Sequence, residues 1–441
     1  MSRSQTRSSE HAGSSPSVGA RDRFGNLIDP EVKYARGRIL ASAQDERLRF
    51  LQAQRIIRRR LAEKGPKSIG VFTGNQRDFL LDAADLGQAA EEWLGPAQFN
   101  DELRQAVLQH LGGTDHHATA VFNRTTGGLI AAISSISAGR PVVSYTPAGS
   151  SSHPSISRGA RAGGSPFVEV SDLRALERSL ASSSAGIAVI TPVSSELQLL
   201  SPDEAGDAVQ VARRHGVVTL VDDAYGARLR PVVQHGPKSL ELGADLAITS
   251  ADKAGLSGPR AGFMAGRADL VLEASTRAAE NGQEARAPIA LAILRSLDRY
   301  SPATLIEEIA HGDEVYAAVA KVLPDHVRKT PIGAFIGEED ILLLALERAG
   351  MSPADAPVVP CEAASALGMI LLEEHGILVI VSGQPGSRVS LRLKPIPGAL
   401  DVAGGATQVA RAVNQALDRL AGMIRNEPTQ LRELIVGRHS A

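Results

Sequence analysis

The chain has 441 residues, 43% of them hydrophobic, and its 47 Lys+Arg against 49 Asp+Glu leave a formal charge of −2. That apolar fraction excludes a wholly disordered chain, the near-neutral charge leaves no general nucleic-acid footprint, and no run of about 18 apolar residues argues for a membrane span. The single cysteine, Cys361, excludes an internal disulfide framework or a cysteine-rich metal cluster and fits a reducing cytoplasm.

Residues 1–25 are rich in serine and lack an apolar cluster, so they are expected to be a disordered tail with no secretory h-region. Residues 26–67 read as an N-terminal helical arm. From Pro30 to about Lys64, Ile39, Leu40, Leu48, Leu51, Ile56, Ile57 and Leu61 alternate with charges as an amphipathic helix requires. The basic cluster of Arg55, Arg58, Arg59 and Arg60 reads as its solvated face.

Residues 68–300 alternate short apolar runs with helix-like stretches. Strands are predicted at Thr119–Phe122, Val142–Tyr145, Phe167–Val170, Gly186–Thr191, Val217–Val221, Asp245–Thr249 and Gly262–Gly266. Helices are predicted at Leu129–Ile136, Leu173–Leu180 and Asp203–His215. Repeated βα units imply an α/β fold with a mostly parallel sheet sandwiched by helices. In such sheets ligands lie at the carboxyl ends of the strands. Residues 301–441 read as a small C-terminal α+β domain. It begins with a helix at Pro302–Val322 and a short strand at Ile332–Phe335. A helix at Cys361–His375, strands at Ile377–Ser382 and Arg388–Leu393, and a last helix near Asp401–Ile424 follow.

Three segments carry chemistry. In Ser250-Ala251-Asp252-Lys253-Ala254-Gly255, Lys253 sits just past a strand in a loop of small residues. A lysine that forms a Schiff base needs such a place, partly desolvated and within reach of a carbonyl. A loop lysine in water is the plainer alternative. The strand Val217–Val221 ends in Asp222-Asp223-Ala224-Tyr225, and Asp222 lies 253 − 222 = 31 residues before the lysine. A carboxylate there can hold the pyridine nitrogen of pyridoxal phosphate in its protonated form, or it can cap the next helix. Asp223 is a candidate for the cap. Finally Asn123-Arg124-Thr125-Thr126-Gly127-Gly128 joins a strand to a helix, and the free N–H groups of a helix start attract an anion. Thr125, Thr126, Gly127 and the hydroxyl of Ser250 are therefore candidates for a phosphate cup.

With Ser152-His153-Pro154-Ser155 and Gly258-Pro259-Arg260-Ala261-Gly262 added, the chain resembles the fold-type-I pyridoxal-phosphate enzymes. Within them it looks like the selenocysteine synthase (L-seryl-tRNA selenium transferase)-like branch, including its archaeal relatives. The resemblance implies a Schiff base on Lys253, Asp222 on the ring nitrogen, and Thr125, Thr126 and Ser250 at the phosphate. It makes His153 a candidate to stack on the ring, although a helix-start role before Pro154 fits equally well. Arg392, with Arg388 competing, would bind a substrate carboxylate, and Arg260 and Arg228 could meet an anionic substrate group. Glu284 and Arg286 would approach the site of a second subunit. A homodimer or higher homo-oligomer is implied.

The expected activity is that of a lyase or transferase. It would act on an amino acid or amino sugar acid by α,β-elimination or β-replacement. An aminotransferase is the main alternative, and a tRNA-dependent selenium transferase ranks lower because only the Arg55–Arg60 cluster offers a basic surface. A desulfurase would need a mobile cysteine, whereas Cys361 opens an apolar run. The absence of His-Glu-x-x-His and of a Gly-x-x-x-x-Gly-Lys-Ser/Thr loop leaves zinc-hydrolase and P-loop chemistry without support.

Overall fold

The computed structural model describes residues 20–380 and 389–438. A seven-stranded sheet lies at its centre. Its strands are β1 (His117–Phe122), β2 (Val142–Tyr145), β3 (Phe167–Val170), β4 (Ile187–Ile190), β5 (Val218–Asp222), β6 (Leu246–Ser250) and β7 (Gly262–Arg267). Across the sheet the order is β1-β7-β6-β5-β4-β2-β3. β7 runs antiparallel to both of its neighbours and every other pair is parallel. All seven strands fall where the apolar runs predict them, with ends differing by at most two residues.

The helices of this part are α1 (Ala43–Lys64), α2 (Gly95–Leu111), α3 (Thr125–Ser137), α4 (Pro154–Ala162), α5 (Leu173–Ser182), α6 (Pro202–Arg214), α7 (Gly226–Val233), α8 (Ala268–Glu280) and α9 (Ala287–Asp298). Side chains of a strand point alternately to its two faces. In β4, Ile187 and Val189 enter the cluster built with α3, α4 and α8, while Ala188 and Ile190 enter the one built with α2, α5, α6 and α9. Both faces are therefore covered, which is why these strands read as unbroken apolar runs. Capping sets several helix starts: Asp172 accepts from Ala175 N at 2.8 Å and Ser201 from Glu204 N at 3.1 Å.

The C-terminal helices are α10 (Pro302–Val322), α11 (Glu338–Ala349), α12 (Pro360–Ile370), α13 (Ala399–Ala403), α14 (Ala406–Asn426) and α15 (Pro428–Val436). They share one apolar cluster with Val32, Tyr34, Ile39, Leu40, Ile56 and Phe72 from the other end of the chain. A three-stranded antiparallel sheet joins β8 (Arg328–Thr330), β9 (Gly333–Ile336) and β10 (Leu391–Leu393). The strand expected at Ile377–Ser382 is described only over Ile377–Leu378, which pairs with Gly70–Val71. Val381–Arg388, including the competing Arg388, lie outside the described residues.

Two helix expectations are corrected. The arm is not helical from Pro30. Tyr34–Ala35 pairs with Ile28–Asp29 as a hairpin, and α1 begins only after Ser42, whose hydroxyl accepts from Asp45 N. Ile39 and Leu40 belong to the connection between them, where their amides donate to Glu362 Oε1 at 2.5 and 2.9 Å. The last helix is two, because Gly404 and Gly405 both take positive φ, 77° and 91°, which favour glycine and break the helix. Of the tail expected over residues 1–25, residues 1–19 lie outside the described residues. Arg23 is not part of a free tail: it pairs with Glu339 and Asp340, both at 2.9 Å.

Candidate active site

The carboxyl ends of β5 and β6 and the start of α3 converge on one cavity. Lys253 lines it from the loop after β6. That loop is closed by Ala251 N to Ala261 O at 3.0 Å and Gly258 N to Ala251 O at 2.8 Å, and it turns through Ala254 and Gly255 at φ 52° and 79°. The lysine Nζ donates to Ser250 Oγ at 2.7 Å and sits 5.4 Å from the centroid of the Tyr225 ring. Burial lowers its pKa, against the pull of Asp252 and Asp222, which makes its proton easier to lose than that of a lysine in water.

Ser250 Oγ lies in turn 2.7 Å from Thr125 Oγ1. Thr125 opens α3, whose N-cap Arg124 makes no side-chain cap and whose first turn carries no acid. Its first N–H groups are left for an anion. The close approach has a sequence cause. A Cβ on Gly262 would lie 2.6 Å from Thr125 Cα, so only glycine lets β7 pass the helix start. Gly128 works likewise, since its Cβ would meet Ile248 and Phe122 side chains at 2.6 Å. Thr125 and Thr126 line the cavity; Gly127 is buried behind them and does not.

Asp222 ends β5 and lines the same cavity. It is buried, and its Oδ1 has no hydrogen-bond partner among the described residues. Burial, with the neighbouring Asp223, pushes its pKa up to about 6 although Lys253 opposes the shift. Asp223 is not the cap expected of it. α7 has no side-chain cap; Asp223 pairs instead with Arg230 at 2.5 Å and accepts from Ser239 Oγ at 2.7 Å.

His153 takes the helix-start role, and it does so at the edge of the cavity. Its Nδ1 accepts from Ser155 N at 3.2 Å as the N-cap of α4, and the residue also lines the cavity. Burial, then Lys253 and nearby arginines, hold its pKa down at about 3, so the ring is neutral. Arg392 reaches the cavity from β10, its Nε bonded to Ser390 Oγ at 2.9 Å, and Arg260 lines it just before β7. Arg228 is a correction. It does not line the cavity but joins strand ends, donating to Ala224 O at 2.9 Å and Ser250 O at 3.0 Å. Glu284 and Arg286 do not reach their own subunit's cavity either. Glu284 bridges to Phe122 at the edge strand β1, and Arg286 pairs with Glu92 at 2.8 Å. Cys361 is buried in the C-terminal cluster, its Sγ 3.2 Å from Ala35 O, and burial raises its pKa well above the usual thiol value.

Several cavity residues escaped the sequence reading. Tyr225 follows Asp222 by three positions, and its hydroxyl accepts a 2.7 Å bond from the fully buried Lys394. Asp252 is held by Arg77 at 3.2 Å. Lys33 comes from the N-terminal hairpin, and Arg124 from the residue before α3. Arg124 and Tyr225 stood inside strings already singled out. Lys33, Arg77 and Lys394 lie far along the chain and carry no local signal.

Residues 78–401 match the family model for aminotransferase class I and II. A "UPF0425 pyridoxal phosphate-dependent protein" of Methanothermobacter thermautotrophicus is 32% identical over 87% of this chain and 96% of its own. Alanine–glyoxylate aminotransferase from Nostoc sp. superposes with a TM-score of 0.54 at 13% identity, over 79% of this chain and 95% of its own. The serine palmitoyltransferase of Sphingomonas wittichii superposes with 0.53 at 17% identity, over 92% and 88%. At such identities the two structures speak for the fold alone. The chain belongs to the class I and II aminotransferase family and to the UPF0425 group of pyridoxal phosphate-dependent proteins.

Proposed function

We propose that this chain is a pyridoxal-phosphate-dependent lyase or transferase that holds its cofactor through Lys253. Its substrate would be an amino acid or amino sugar acid, processed by α,β-elimination or β-replacement. One observation carries the reading: the orphaned Asp222 Oδ1, buried in the cavity that Lys253 lines and that a helix start with no acid of its own also lines. A buried carboxylate oxygen without a partner costs stability unless a ligand donates to it. A protonated pyridine nitrogen is such a donor. Thr125 and Thr126 offer backbone N–H groups to the cofactor phosphate, and the Thr125 and Ser250 hydroxyls add to them. His153 walls the ring. Arg392 takes the substrate carboxylate.

When bound, the cofactor supplies an electron sink for charge developing at the substrate α-carbon. Asp222 keeps that sink strong by holding the ring nitrogen's proton. Lys253 Nζ, whose pKa burial lowers, would be the group that accepts the α-proton. Ser250 Oγ holds this amine in line.

The test is the visible absorption spectrum of the purified protein supplied with the cofactor. Wild type shows a band that borohydride removes; Lys253→Ala lacks it and loses at least about 10³-fold in turnover. A wild-type protein that stays colourless with added pyridoxal phosphate refutes the reading.

Transamination is the second reading, favoured by the family model itself. It predicts that turnover needs a keto acid acceptor, whereas elimination does not. Selenium transfer on tRNA ranks lower. Within the basic cluster, Arg59 pairs with Glu373, and Arg60 donates to Ser68 O at 2.9 Å and Glu373 O at 2.8 Å. A homodimer belongs to the same proposal: Phe79, Leu86, Trp93 and Leu94, exposed by 54 to 87%, follow the cavity residue Arg77 along one segment and need a cover. We also infer a cytoplasmic location, supported by the unpaired thiol of Cys361. No helix among the described residues is long and apolar enough to cross a membrane.

A further inference from the structure

The cavity is lined by six cations and three carboxylates. Lys33, Arg77, Arg124, Arg260, Arg392 and Lys253 face it, against the carboxylates of Glu196, Asp222 and Asp252. In the proposed function Lys253 carries the cofactor, and Arg392 takes the substrate carboxylate. Arg260 belongs with the phosphate end, because Ala261 O accepts from Thr125 Oγ1 at 3.4 Å and Gly262 touches the same residue. Lys33, Arg77 and Arg124 are left. Among the described residues no ion pair engages the Lys33 ammonium or the Arg124 guanidinium, and Arg77 has only Asp252. Crowding like charges is costly: burial first, then Arg77 and Arg124, bring the Arg260 pKa down to about 10. Such a cluster becomes favourable when an anion enters it.

Lys33 is placed there deliberately. It is a non-glycine residue at φ 65°. A side-chain-bearing residue keeps this strained conformation only when its surroundings hold it. They do: Lys33 N donates to Asp29 O at 2.8 Å, Arg36 bonds Asp29 and Glu46, each at 2.6 Å, and Tyr34 OH bonds Glu46 at 2.8 Å. Glu31 of the same turn pairs with Arg161 of α4, the helix capped by His153. The hairpin is thus fastened both to α1 and to the wall of the site.

We infer that the substrate carries a second anionic group, a phosphate or carboxylate at the end of its side chain, and that Lys33, Arg77 and Arg124 receive it. The inference rests on the proposed function, of which it names the substrate class. It gives the N-terminal hairpin a role in specificity, since Lys33 is its one cation that lines the cavity.

The test titrates the cofactor-loaded protein with two matched pairs, O-phospho-L-serine against L-serine and L-aspartate against L-asparagine. Binding is read by calorimetry and, in parallel, by the visible spectrum. At least one anionic member binds about 10-fold or more tighter than its neutral partner, and which pair discriminates tells phosphate from carboxylate. Lys33→Met and Arg77→Gln each remove most of that preference. Both leave the neutral partners and pyridoxal phosphate affected by less than about 2-fold. Equal affinity within both pairs overturns the inference. So do variants that weaken anionic and neutral ligands alike, or variants whose loss falls on the cofactor. Calorimetry reads the preference with or without a visible band. A missing band therefore defeats the cofactor reading, and a missing preference defeats this one.

Discussion

Asp222 and Asp223 leave β5 side by side and enter opposite surroundings. On the Asp223 side everything is paired: Arg230 reaches both carboxylate oxygens, at 2.5 and 3.2 Å, and Ser239 donates a third bond at 2.7 Å. On the Asp222 side one buried oxygen faces the cavity with no partner. Two lysines differ in a similar way. Each bonds one hydroxyl, Lys394 that of Tyr225 and Lys253 that of Ser250, but Lys394 is fully buried while Lys253 borders open space. The contrast separates groups that hold the fold together from groups kept short of partners for a ligand. A closed ion pair needs no visitor. A buried carboxylate left half satisfied loses stability until one arrives.

The largest effect should come from breaking the closed side. Asp223→Ala strands Arg230, a fully buried cation, and costs about 3–5 kcal/mol in urea denaturation of the cofactor-free protein. A cost below about 1 kcal/mol would mean that this pair is not holding the strand end.

Asp222→Asn should do the opposite. The folded protein raises this pKa from 3.8 to about 6, so it binds the proton more tightly than the unfolded chain does. Stability therefore falls as pH rises through that window and stays low above it. The cofactor-free variant should be roughly 2–3 kcal/mol more stable than wild type at pH 8, an advantage that fades towards about pH 4. The same substitution should cut turnover of the loaded enzyme at least about 10²-fold. A variant less stable than wild type at pH 8 would place Asp222 among the structural pairs.

The smallest change concerns the helix start. Gly262→Ala puts a methyl 2.6 Å from Thr125 Cα and 2.7 Å from Thr125 N, both backbone atoms that cannot swing aside. It should cost about 1–3 kcal/mol by overpacking. It should also speed loss of pyridoxal phosphate in dialysis, more than Gly127→Ala does. Gly127's added methyl would meet only the Gln283 side chain, at 3.3 Å.

Much of the site was legible because its parts are local. Each of the three chemical segments straddles the end of a strand or the start of a helix, and apolar periodicity finds those boundaries. The strand ending at Val221 announced Asp222; the loop of small residues announced Lys253. The N-terminal arm was read poorly. Ile39 and Leu40 fit a helical period, yet Glu362, more than 300 residues away, takes their amides and holds them in a bend outside the helix. Arg228 was misread for a related reason. An arginine in the first turn of α7, just past a strand end, looks free to meet a ligand until the neighbouring strand's Ser250 carbonyl claims it.

The sequence by itself determined the alternating strands and helices, the glycines where backbones must touch, and the order along the chain of the helix start at Thr125, Asp222 and Lys253. Hydrophobic period, capping and turn chemistry act over a few residues and leave their mark in any short window. Tertiary structure decided the partners of Asp223, which turns to Arg230 and Ser239 and caps no helix. Alternation along β5 sends Leu220 and Val221 to opposite faces of the sheet, but both faces are buried and read alike. It also decided that Lys33, Arg77 and Arg392 share one cavity. Cations from distant stretches are brought together only by packing the C-terminal core and the N-terminal arm around one another, and no local pattern encodes that meeting.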